Sequence, residues 1–103
     1  MRYLKVKWLQ DSPDYPVLLY SELDAQDWEV RKVEVYADGR MNFADHDERS
    51  GDTKLGIEPF SPEEEASVAA DPEFEPFTIT AEEFEKVWLE ARSLQAAGPA
   101  SHS

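Results

Sequence analysis

The sequence contains no cysteine. That absence excludes disulfides, thiolate nucleophiles and thiolate metal sites together. Small secreted domains commonly depend on such cross-links, so their lack in a chain of this size points to the cytoplasm. Glycine is scarce too. Only 4 are present, and none builds the glycine-rich loop that cradles a phosphate or the G-x-S-x-G turn of a serine hydrolase. No apolar run approaches the roughly 20 residues of a membrane span. The opening "MRYLKVKWLQ" alternates apolar and charged residues, as a strand does and the hydrophobic stretch of a signal peptide does not.

Positive charge is the other shortage: 10 Lys+Arg stand against 23 Asp+Glu, a net of -13. The deficit deepens along the chain, with eight basic and thirteen acidic residues in 1–60 but two and ten in 61–103. Nucleic-acid phosphates and anionic membrane surfaces would both be repelled. A basic protein would be attracted.

What is present suits one folded domain. The length of 103 residues and a hydrophobic content of 41% support a single modest core. In "RYLKVKWL", Leu4, Val6 and Trp8 fall on one side and Tyr3, Lys5 and Lys7 on the other, the pattern of a half-buried strand. "QDSPDYP" is a turn, and "VLLYSEL" a second strand that closes through "DAQD" onto a third over residues 28–37. Asp38-Gly39 marks the next hairpin, with a fourth strand over 40–44. In the third strand Trp28 and Val30 share one parity, Val33 and Val35 the other. Either a bulge near Arg31-Lys32 shifts the register, or both faces of the strand are partly covered. "TKLGI" (53–57) reads as a short edge strand and "EFEPFTI" as an extended connector.

Beyond Pro59 the period changes to that of helices. Ser61-Pro62-Glu63-Glu64 offers an N-cap serine and a proline at the first helical position, predicting a short helix to about Ala70. Thr80-Ala81-Glu82-Glu83 is a capping box, and Ile79 and Phe84 stand where a hydrophobic staple needs them. Phe84, Val87, Trp88 and Ala91 then recur along one stripe, with Leu94 loosely on it. The expected fold is α+β: an antiparallel sheet of four to five strands, one short helix, and a C-terminal amphipathic helix packed on one face. Residues 1–96 form the domain and 97–103 a flexible tail. The opposite sheet face is left to solvent or a partner.

With these segments in place, the chain resembles a family of small, mainly actinobacterial proteins defined only as a domain of unknown function. The pieces that carry the resemblance are "MRYLKVKW", "YPVLLYSELD", "WEVRKVEVYADGR" and "DPEFEPFTITAEEFEKVW", in that order. The resemblance implies a standalone intracellular domain and carries over no reaction.

Two constellations warrant chemical reading. If the second and third strands pair across "DAQD", Glu22 faces the third strand at about Glu29 to Val33, within reach of Arg31. A cross-strand ion pair of this kind stabilises a sheet. Alternatively the guanidinium faces a ligand or partner on the uncovered face, in company with Tyr20, Glu22, Glu34 and Tyr36. On a regular strand the pleat separates Arg31 from Lys32 and Glu34. The second constellation is "DHDE" (45–48), where His46 lies among carboxylates. Neighbours on a loop diverge, and the other histidine, His102, lies in the tail, so no metal site is expected. The aromatic residues are read as core, including Trp8, Trp28 and Trp88. No catalytic residue and no cofactor is assigned. The reading is a non-catalytic, immunity- or antitoxin-like interaction module, monomeric or homodimeric, whose acidic surface meets a basic protein. The alternative is a small-molecule binder or an enzyme that uses the exposed sheet face.

Overall fold

The structure, a computed structural model, describes residues 1–51, 53–56 and 58–97. Strands β1 (Arg2–Trp8), β2 (Leu18–Leu23), β3 (Glu29–Val35) and β4 (Met41–Ala44) precede helix α1 (Pro62–Ala70). Strand β5 (Phe74–Thr78) and helix α2 (Ala81–Ala97) follow. The five strands make one antiparallel sheet in the order β4-β3-β2-β1-β5. The fold is α+β, with one short helix and one C-terminal helix. The stretch expected as a tail begins at Ala97, the last residue of α2; residues 98–103 lie outside the described residues.

Both hairpins form where the turn chemistry places them. Asp24 Oδ1 accepts from the backbone N–H groups of Gln26 and Trp28, and Asp27 takes the left-handed conformation (φ 67). In the second, Gly39 N–H donates to Tyr36 O while Tyr36 N–H donates to Arg40 O, with Gly39 at φ 93. This is a three-residue loop whose glycine supplies the positive φ that other residues resist.

The fifth strand departs from the sequence reading. Thr53–Gly56 is irregular, and the edge beside β1 is taken by β5, from the segment expected to be a connector. The reason is visible in the ladder. Ile79 N–H donates to Tyr3 O and Leu9 N–H to Glu73 O. Odd-numbered residues of this segment therefore bond inward, and Pro76 turns its backbone to the open edge. There its missing N–H costs no ladder bond and removes a donor that another chain could use.

The parity conflict in β3 resolves as a bulge. Glu22 pairs with Arg31 and Leu23 with Glu29, so Val30 is the extra residue, one position before the expected site. From Arg31 onward Val33 and Val35 point to the face covered by α2. Val33 (0% exposed), Met41, Phe43, Phe84, Val87, Trp88 and Ala91 form the core there. Trp88 meets Phe43 edge-on at 5.4 Å and stacks with Phe84 at 6.4 Å. The α2 cap forms as read. Glu83 N–H donates to Thr80 Oγ1, Glu83 Oε1 accepts from Thr80 N–H, and Ile79 packs on the core. Leu94 departs from the stripe and is exposed.

The second sheet face is not left bare. Residues 53–56 and 58–60 and α1 lie over part of it. Ser61 Oγ accepts from Glu64 N–H at the α1 N-cap, Pro62 opens the helix, and no α1 residue is buried. Only Val68 gives it an apolar grip.

Candidate functional site

The five residues read as a face are divided. Tyr20, Glu22 and Arg31 lie on the α2 side, while Glu34 points to the opposite face and Tyr36 sits in the hairpin turn under Arg40, 4.6 Å from its ring. Arg31 is thus under a helix rather than on an open face. Its Nε and Nη2 donate to Glu22 Oε1 (2.6 Å) and Oε2 (3.0 Å), and Nη2 also reaches Glu85 Oε2 of α2 (2.8 Å). Its guanidinium carbon lies 5.0 Å from the ring centres of both Phe84 and Trp88. Hydrogen bonding by Arg31 lowers the Glu22 carboxyl below its ordinary value of 4.5 against the opposing effect of burial. The same bond raises Arg31, and a hydrogen bond to Glu22 raises the Tyr3 phenol. Every strong donor and acceptor in this cluster is engaged. It fastens α2 to the sheet.

The "DHDE" loop is likewise occupied by structural bonds. Asp45 Oδ1 accepts from the backbone N–H groups of Asp47 and Glu48, and Arg92 pairs with Asp45 (3.9 Å) and Glu48 (3.0 Å). No group of three metal-ligating side chains comes together among the described residues. Of the tryptophans, Trp88 alone is core. Trp8 is half-buried against Tyr15 and Phe74, and Trp28 is 42% exposed.

A cavity opens on the other face, between the sheet and the segment leading into α1. It measures about 550 Å³. Its floor is Leu4 and Val6 of β1 with Leu19 and Leu23 of β2, the stripe that alternation assigns to this side. Phe74 of β5 continues it along the sheet, and Phe60 and Val68 line the opposite wall. Volume and apolar lining fall within the usual range for small-molecule sites.

Polar groups gather at one side of it. Glu29 Oε2 accepts from Ser21 Oγ (2.5 Å), and Glu29 Oε1 accepts from Gly56 N–H (2.8 Å) and lies 3.7 Å from Lys32 Nζ. Lys32 Nζ also donates to Lys54 O (3.2 Å). The bulge makes this grouping: on a regular strand Glu29 and Lys32 would occupy opposite faces, and the extra residue brings them to the same one. Farther along β3, Glu34 Oε1 accepts from Thr53 Oγ1 (2.6 Å), whose residue is 2% exposed. Glu29 and Glu34 thereby tie the return segment across the sheet. At the cavity's edge Glu58 and Glu64 are exposed, and their carboxylates have no hydrogen-bond or ion-pair partner among the described residues.

Ser21, Glu29, Glu58 and Glu64 were not read as site residues from the sequence, and Lys32 was weighed beside Arg31 and Glu34 without being placed in the candidate face. One signal was available for Ser21, the single polar member of the Leu19-Ser21-Leu23 stripe. A second was α1, amphipathic only through Val68 and unable to seal a sheet face.

The architecture is that of a small antiparallel α+β domain with one face closed by a helix and an apolar cavity on the other. The chain belongs to a family described as a domain of unknown function (DUF6881), whose model matches residues 2–93. No curated protein and no solved structure matches it at a significant level. Among the described residues, no helix is long and apolar enough to cross a membrane.

Proposed function

We propose that this domain is a binding module for a small, largely apolar molecule, held in the cavity between β1–β2 and the segment leading into α1. The observation that carries the reading is the cavity itself, a space of about 550 Å³ lined mainly by apolar side chains. Binding rather than catalysis is favoured because Glu29 and Lys32 are committed to each other, to Ser21 and to the backbone of the covering segment. The described lining contains no histidine to serve as a base. A cysteine-free domain of this size suits the cytoplasm. The test is an uncharged environment-sensitive dye, N-phenyl-1-naphthylamine, whose emission rises on entering an apolar site. Emission should rise with the native chain and be reduced in Val68→Trp, where the larger ring intrudes on the space. No rise with the native chain overturns the reading.

A second reading rests on a different observation. Residues 61–85 carry nine acids and no base, spread over α1, β5 and the start of α2. An acidic surface of this kind suits a basic protein partner, as in immunity proteins and antitoxins. Such a complex would be weakened steeply by salt.

A further inference from the structure

We infer that the molecule bound in this cavity is an organic cation, a protonated amine carried on an apolar body. The inference rests on the binding reading above and adds the charge of the ligand. Among the described residues, four charged side chains line the cavity: Glu29, Lys32, Glu58 and Glu64. The first two cancel, since Lys32 Nζ stands 3.7 Å from Glu29 Oε1. The Glu29 oxygens are further occupied by Ser21 Oγ and Gly56 N–H, and the Lys32 ammonium by Lys54 O. Glu58 and Glu64 remain, without a protein partner among the described residues, beside an apolar wall.

A ligand that lays its hydrocarbon on Leu4, Val6 and Leu19 brings its head group into the field of those two carboxylates. A cation is attracted there, by the modest amount that solvent-exposed charges allow. A carboxylate or phosphate head meets the opposite situation. The one ammonium among the described lining residues, that of Lys32, is already bonded, and the Glu58 and Glu64 carboxylates repel such a head.

Three probes with one body separate the possibilities: 2-naphthylmethylamine, 2-naphthylmethanol and 2-naphthoate, measured by titration calorimetry at low salt. The amine is expected to bind about five- to tenfold more tightly than the alcohol, the scale of two exposed charge contacts, and the carboxylate most weakly. The amine's advantage should shrink as salt is added. In the double variant Glu58→Gln/Glu64→Gln it should vanish while alcohol binding persists, both side chains being exposed and replaceable without loss of fold. A carboxylate that matches the amine overturns the inference and leaves the cavity reading standing. So does an amine preference that survives the double variant, or an amine no tighter than the alcohol. If none of the three binds, the cavity reading fails and the inference with it.

Discussion

The two faces of the sheet use the same five strands and are closed in opposite ways. On one, α2 presents Phe84, Val87, Trp88 and Ala91 to Val33, Met41 and Phe43, and all seven are buried. Arg31 and Glu22 complete that interface with a two-point hydrogen bond under the helix. On the other, α1 contributes no buried residue, and the covering segment is held mainly by polar ties from Glu29 and Glu34. A helix with an apolar stripe excludes space, whereas one without it leaves a cavity. The stability of the domain is therefore expected to reside on the α2 face and ligand binding on the α1 face.

The strongest way to break that contrast is Trp88→Ala, which should cost about 3–5 kcal/mol because a large core aromatic loses its contacts and leaves a hole. Chemical denaturation measures it directly. A midpoint close to the native one would mean that α2 is not the element sealing the core.

Next in size is the ion pair beneath α2. Arg31→Ala and Glu22→Ala should each lose about 1.5–3 kcal/mol, the range for a hydrogen bond to a charged group. The double variant should lose less than their sum, since each single change strands the other partner. Additive losses in the thermodynamic cycle would dissolve the coupling.

The same pair sets an acid limit. The folded Glu22 carboxyl titrates below its ordinary value of 4.5, so its contribution is complete above that value and disappears as pH falls through the folded one. Native stability should therefore decline in this acid window. Arg31→Ala should flatten that limb of the pH profile, and an unchanged slope would assign the acid sensitivity elsewhere.

The smallest effect is expected on the α1 face. Val68→Ala should cost under about 1 kcal/mol, because the side chain borders a cavity and is only half-buried. Backbone amides of α1 should exchange with solvent much faster than those at the centre of α2. Equal protection in the two helices would show that α1 is docked as firmly as α2.

Much of this was legible locally. The Thr80 capping box, the Ile79–Phe84 staple, the Asp38-Gly39 turn and the stripe from Phe84 to Ala91 all hold as read. The pairing of Glu22 with Arg31 followed from hairpin register; the parity conflict in β3 left a bulge and a doubly covered strand both open, and the structure decides for the bulge. The face proposed around Arg31 was not legible. Strand alternation says which residues share a side but not which side a distant helix will cover.

The sequence by itself determined the first four strands, the two helices, their order and the apolar stripe of α2, because caps, turns and periodicity are interactions among near neighbours along the chain. Only the tertiary structure decided that "EFEPFTI" is a strand, since a connector and an edge strand share one extended pattern until a neighbour supplies the ladder. It alone decided which carboxylates are spent and which remain open. Glu29 meets Gly56, Glu34 meets Thr53 and Arg2 meets Glu65 across long stretches of chain, and no local rule fixes those meetings. The cavity is the outcome of that long-range packing: a polar-faced helix came to rest over an apolar stripe that it could not fill.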